Sequence, residues 1–529
     1  MIKSKFYSAI IIIIILFNSI NAQNIELPDF VITGVQAVNI PTLQKKRPEL
    51  FTSLSKEFIK PNYSPEELSI SEPSDPIKVE AELYKEVIPI NGSLSLAAGI
   101  NTQPKGEAYF YNNFDKINLF SKVWGNYTPA YEYNSDLSIT GLQFTSRYFL
   151  DNKNEILPGL EVLVGANYLR EWYKKFISSD PEYLLKIQTG NAKLLIENTY
   201  LKDLNFGFSL KGGGLFTNKD DFKEMRYDGS GYFTLTLNKL VVSVNGYYIK
   251  QQISLFKTNK WHYDYFSTKA SLKYSPVNNL SFGAGLNLSK YDSNSFFRPL
   301  IFVEMRLNKF LSVACEFAPN TEFYTVSDFY KENRYISFEK RDNIYLENKS
   351  KLNLSIKFEN AKLFEIYVGF EFKSRDNQYY YSDENEVGSF DILQTNDVQI
   401  TKLFSNYYLN FGAYGELYGD VIYQDARMEG QLVLPYTPAF ILNTSYKYFL
   451  QNDLSIIGSL EFNHQIYADY NNTKKLPDYI NFSVHGEYQL LENLSLNLYL
   501  ENIINNKNYR FINYLEKPLD IYAGINYRW

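Results

Sequence analysis

Three histidines, one cysteine and a run of glycines are the residues from which chemistry would have to be built. His262, His464 and His485 lie far apart with no ligand-like spacing, so a His-based metal site is not expected. The single thiol, Cys315, excludes a disulfide framework and a cysteine zinc site. It alternates with Val313 and Phe317 on one apolar face, which marks it as packed or lipid-facing rather than nucleophilic. Gly212-Gly213-Gly214 lacks the Lys and Ser/Thr of a phosphate-binding loop. It sits in a strand pattern and reads as a bend. No serine stands in a nucleophile elbow. No catalytic, cofactor or metal residue is assigned, and the chain is not expected to be an enzyme. Lys357, Glu359, Glu371 and Lys373 fall on the polar faces of alternating runs. There they would line a solvated interior rather than hold a defined ligand.

The elements carrying these residues alternate with period two. From Leu280 to Leu288 the apolar set is Leu280, Phe282, Ala284, Leu286 and Leu288, interleaved with Ser281, Gly283, Gly285 and Asn287. Leu352, Leu354, Ile356 and Phe358 alternate with Asn353, Ser355, Lys357 and Glu359. Ile480 to Leu490 and Leu494 to Leu500 repeat the pattern. A strand sends successive side chains to opposite faces, so each run has one apolar and one polar face. A soluble sandwich and a membrane barrel both give such strands. Length separates them: the runs commonly exceed the roughly 9–11 residues that cross a bilayer as a strand, whereas soluble strands centre near 5–6. Very short turns (Asn278-Asn279, Asn308-Lys309, Glu492-Asn493) alternate with long polar connections (Asn320 to Ser350, Tyr379 to Gly388). That is the outer-membrane pattern of short periplasmic turns and long outer loops. Aromatics make up 17% of the 529 residues. They cluster near strand ends, as in Tyr109-Phe110-Tyr111 and Tyr446-Lys447-Tyr448-Phe449, where rings form interfacial girdles. The expected fold is all-β: a transmembrane antiparallel barrel over 86–529 with about 22 strands, between 18 and 24.

The chain ahead of the barrel divides in two. Met1 to Ala22 has Lys3, Lys5, an apolar core and a small-residue end, the pattern of a secretory signal. Residues 23–85 carry seven of the 19 prolines and read as a mostly extended linker, periplasmic or lumenal. The formal net charge of −6 argues against a nucleic-acid partner.

Two resemblances follow from particular residues. Ile521, Ala523, Ile525, Tyr527 and Trp529 share one face of the last strand. This resembles the terminal β-signal read by the outer-membrane barrel-assembly machinery. Leu434-Pro435-Tyr436-Thr437-Pro438, Leu476-Pro477-Asp478-Tyr479, Asn493-Leu494-Ser495-Leu496 and the stretch Glu501-Asn502 to Asn508-Tyr509 resemble the C-terminal strands of TonB-dependent receptors. Leu27, Pro28, Asp29, Phe30, Val31, Ile32, Thr33 and Gly34 are similar to the TonB-box-like segment that opens many such receptors. The resemblance implies outer-membrane lipid as surroundings and ligand or nutrient transport across the outer membrane. It implies a TonB-type energy-coupling protein, or a separate plug or periplasmic protein, as partner. Members of this family place a folded plug before the barrel, and residues 23–85 are too few for one. A plugless porin-like channel and a structural, anchoring barrel stay open as alternatives.

Overall fold

The computed structural model describes residues 91–529 except 151–156, 177–183, 200, 202, 220, 258, 339–343, 361–362, 385–386 and 452. The signal-like segment 1–22, the linker 23–85 and the run Leu27 to Gly34 lie outside the described residues.

One antiparallel sheet closes on itself. Its first strand, Gly92–Gly99, pairs with its last, Asp520–Arg528, through Leu94↔Tyr527 and Leu96↔Ile525. Closure leaves no sheet edge between first and last strands, as a hydrocarbon surround requires. Two of the sheet's 23 strands, Leu311–Phe317 and Asn320–Tyr324, both pair with Ile344–Asn360 and make one broken stave. The barrel therefore has 22 staves. The break falls at Ala318-Pro319, and proline has no amide to give to a ladder.

Alternation decides which face looks out. In Leu280–Tyr291, Phe282, Leu286 and Leu288 are exposed on the outside, while Asn287 and Ser289 are buried within. The same holds around the ring: Leu94, Leu142, Val164, Phe208, Leu354, Leu403 and Leu496 all face outward and are exposed. An apolar belt of this extent on every stave is the surface of a barrel standing in lipid. Among the described residues no helix is long and apolar enough to cross a membrane; the strands cross instead. The outer-membrane location follows from this belt and the closed ring.

The ends differ as the sequence leads one to expect. Four turns on one side have two residues: Asp115-Lys116, Asn238-Lys239, Asn278-Asn279 and Glu492-Asn493. Asp115 and Asn238 take the left-handed conformation, φ 49° and 57°, which short-side-chain polar residues tolerate in tight hairpins. This is the inner, periplasmic end. The other end carries connections with their own structure. The stretch Asn320 to Ser350, expected as one polar loop, is strand at both ends, and its true loop is 325–343 with a helix at Val326–Glu332. The expected loop Tyr379 to Gly388 contains a strand of the hairpin Gln378–Ser382 with Asp391–Thr395. The triple glycine runs through stave Leu204–Thr217 in unbroken register with both neighbours, without the expected bend marked by a register break.

Candidate functional site: the outer mouth of the barrel

The lumen is walled by paired charges. Lys357 meets Glu359 at 2.6 Å and Glu365 at 3.3 Å, and Lys373 meets Glu371 at 2.7 Å. All four sequence-predicted inward residues are thus ion-paired along the wall. Lys269–Glu316 and Lys273–Glu304 continue the pattern at 3.1 and 2.7 Å. Elsewhere on the wall, His485, Tyr499 and Tyr522 stack in register across three staves, with ring centroids 4.1 and 4.5 Å apart. Lys105 lies over Tyr499 and Tyr522 at 5.4 and 5.1 Å.

The three histidines have separate surroundings. His464 meets Asp478 at 2.9 Å, His485 meets Asn497 at 3.0 Å, and His262 is exposed on the outer face. Cys315 is a half-buried free thiol in a stave. Among the described residues no group of three His, Cys, Asp or Glu side chains is arranged to hold a metal.

The loop 325–343 turns into the mouth instead of away from it. Its entry strand, Asn320–Tyr324, stays paired with Ile344–Asn348 but meets side chains on the inner face of two nearby staves. Tyr265 and Thr321 hydroxyls meet at 2.9 Å, Thr321 donates to Ser289 Oγ at 2.6 Å, and Asn287 donates to the Pro319 carbonyl at 2.6 Å. The neighbouring strand Asn294–Arg306 pairs with the broken stave only over Ile301–Arg306.

The helix that follows is clamped at its start. Thr325 and Asp328 form a reciprocal cap, the arrangement that satisfies the first free amides of a helix. Arg226 reaches from the wall to Asp328 at 2.7 Å and to Thr325 Oγ1 at 3.0 Å, and is itself held by Asp228 at 2.6 Å and Tyr247 at 2.8 Å. Glu224, fully buried, accepts from the Ser327 amide at 2.8 Å and from Gln251 at 2.7 Å. Burial alone would raise the Asp328 carboxyl. Arg226 and the Thr325 hydroxyl and amide outweigh it and hold Asp328 below its usual value.

Apolar packing then spans the mouth. Val326, Phe329, Tyr330, Ile336 and Phe338 of the loop are buried with Leu185, Ile187, Leu215, Phe222 and Ile253 of the near wall. The same core takes in Tyr381, Phe390 and Tyr514, which come from connections on the far side. Tyr335 stacks on Tyr514 at 3.5 Å. Polar latches tie the same parts: Lys175 donates to Ser389 Oγ at 2.6 Å and Tyr131 to the Leu515 carbonyl at 2.9 Å. The hydroxyls of Tyr173 and Tyr514 donate to the carbonyls of Arg334 and Gly388, and Tyr330 donates to Glu171. Each fully buried Phe or Ile contributes roughly 1.5–3 kcal/mol, so this core outweighs the surface hydrogen bonds around it. Burial pushes the Glu516 carboxyl up in spite of Arg510 and Arg334 nearby.

Sequence reasoning did not single out Glu224, Arg226, Asp228 or Asp328. Two signals were present: a charge at every second position from Glu224 to Asp228, and the cap pattern Thr325-x-x-Asp328. No sequence signal linked them to Tyr381, Phe390 or Tyr514.

No protein-family model and no curated protein matches the sequence. Solved structures do share the fold. The ferric-catecholate import receptor Fiu of E. coli K12 superposes with a TM-score of 0.63 at 10% identity, over 83% of this chain and 82% of that one. The FrpB iron transporter of Neisseria meningitidis gives 0.63 at 10% identity, over 83% and 81%. The siderophore receptor PirA of Pseudomonas aeruginosa gives 0.59 at 13% identity, over 83% and 79%. The barrel shares its fold with these receptors.

Proposed function

We propose that this barrel is an outer-membrane transporter that admits a ligand from outside when its loop core parts. The observation that carries the reading is the apolar core joining near-wall and far-side loops across the mouth. A passive diffusion pore needs an open lumen, and a purely anchoring barrel has no need of a lumenal loop. Energy for opening the path comes, in this reading, from an energy-coupling protein engaging Leu27 to Gly34 on the periplasmic side. The terminal face Ile521 to Trp529 serves the barrel-assembly machinery. The structural neighbours are named for iron and siderophore import, so iron chelates are the first ligands to assay.

Two measurements test this. In planar bilayers the full chain should conduct poorly, and a variant lacking residues 326–338 should conduct strongly. In cells a photo-crosslinker at Ile32 should capture an energy-coupling protein, and loss of residues 27–34 should abolish ligand uptake without changing barrel abundance. Large ohmic conductance from the intact chain, with no crosslink, would overturn the reading.

A further inference from the structure

The outside of the barrel carries an arc of unpaired cations on one side. Arg170, Lys250 and Lys290 each stand ten residues beyond the inner ends of their staves, Leu160, Leu240 and Leu280. Lys186, Lys223 and Lys260, on staves within the same arc, stand 12, 14 and 17 residues above the inner ends Asn198, Leu237 and Val277. All six are exposed. Register shows that they face outward with the apolar belt: Lys290 pairs with Phe266, Lys223 with Phe216 and Lys250 with Tyr227, and those rings are exposed outside. Arg170 lies two residues above outward Tyr168.

Height gives the arc its meaning. At about 3.3 Å per residue and a stave tilt near 40°, ten residues climb roughly 25 Å. The apolar band of such barrels is about 25 Å tall. Arg170, Lys250 and Lys290 therefore stand at its outer edge, and the other three rise through the layer above.

Among the described residues none of the six has an ion-pair partner. Of the described carboxylates on these staves only Asp264 faces outward; it stands across the ladder from Lys250 and accepts from Tyr248 at 2.6 Å, without an ion pair to the lysine. Glu224 and Asp228 are buried on the lumenal side. Elsewhere on the ring the same height is neutral or paired. Ten residues above Ile117 and Phe364 stand Tyr127 and Ser374. Ten above Leu454 stands His464, held by Asp478 at 2.9 Å. Arg427 is paired with Asp425 at 2.6 Å.

We propose that this arc, from stave Leu160–Tyr173 to stave Leu280–Tyr291, is a binding surface for the phosphorylated headgroup of an outer-leaflet glycolipid. Unpaired cations at headgroup height attract phosphate. The rings below them, Tyr168, Tyr227, Tyr248 and Phe266, are placed to pack on the upper acyl chains. A soluble acidic protein would have to displace lipid to reach Arg170, Lys250 and Lys290, which stand level with the belt's edge.

The full chain in detergent micelles is titrated with fluorescent bisphosphorylated lipid A, and in parallel with the dephosphorylated lipid. The intact chain should bind the phosphorylated form at least tenfold tighter. R170Q/K250Q/K290Q should lose that preference, while K250R/K290R keeps it. Folding of each variant is read from its heat-modifiable electrophoretic mobility. Should the triple variant fail to fold, K223Q/K260Q, above the belt, should weaken the phosphorylated lipid severalfold. Equal affinity for the two lipids, or unchanged affinity in the folded glutamine variants, overturns the proposal.

Discussion

Arg226 is the residue through which the barrel wall ties down the start of the mouth loop. It binds Asp328 and Thr325 of the loop while Asp228 and Tyr247 fix its own fork. Removing it strands the charge of a partly buried carboxylate, a loss of roughly 3 kcal/mol for such a pair. We expect R226A to leave the barrel folded but to make loop 325–343 sensitive to added protease, with raised conductance. Asp328 adds a pH signature. Its folded pKa lies below its model-peptide value of 3.8, so its contribution is complete above that value. The contribution is lost as pH falls through the lower folded value. Conductance of the intact chain should therefore rise only below about pH 4, and D328N should show the raised level at neutral pH. Conductance that is flat down to pH 3 would count against the clamp. At this scale the sequence was partly legible. Lys357, Glu359, Glu371 and Lys373 could be placed on the lumenal wall because alternation is local. The Glu224, Arg226 and Asp328 clamp joins residues about a hundred positions apart, and no periodicity carries that information.

Elements show a recurring device in the staves. Gly141 lies opposite Trp124, and Gly283 opposite Phe302. A β-carbon on Gly141 would sit 2.1 Å from the Trp124 ring, and one on Gly283 2.3 Å from the Phe302 ring. Each ring lies flat over the gap left by its glycine, which lets the sheet coil there while staying covered. G283A should force the ring aside and cost about 1–3 kcal/mol, read as a lower unfolding temperature. An unchanged value would mean that the ring moves freely. In the mouth, F329A removes a buried side chain from the spanning core. We expect a local loss of about 3–5 kcal/mol, with more conductance and unchanged heat-modifiable mobility. Staves were legible because each one alternates over most of its length. The break after Phe317 was also written locally, in Pro319. The inward path of Asn320–Tyr324 was not, since its partners Tyr265, Asn287 and Ser289 belong to other staves.

At the scale of the molecule, the single barrel and its stave count of 22 agree with what length, alternation and the resemblance imply. The segment before the barrel, 1–90, lies outside the described residues. What the barrel adds is an apolar core joining its own outer connections, which in the proposed reading closes the mouth without the lead-in filling the lumen from within. We expect a chain lacking residues 24–85 to remain poorly conducting in planar bilayers. A large conductance increase would place the seal in that segment instead.

The seam has a last consequence. Asn91 and Gly92 amides donate to the Trp529 carbonyl at 2.7 and 3.1 Å, and the Trp529 amide returns a bond to Gly92 at 3.1 Å. Topologically the ring has no privileged starting point. A short linker from Trp529 to Asn91, with the chain reopened between Asn278 and Asn279, would give a circular permutant with every row of the sheet unchanged. Such a permutant separates the sealing of the ring by Trp529 from the proposed terminal mark read by the assembly machinery. If it folds from denaturant but is not inserted in cells, the assembly machinery reads a free end; if it is inserted, the machinery reads the seam.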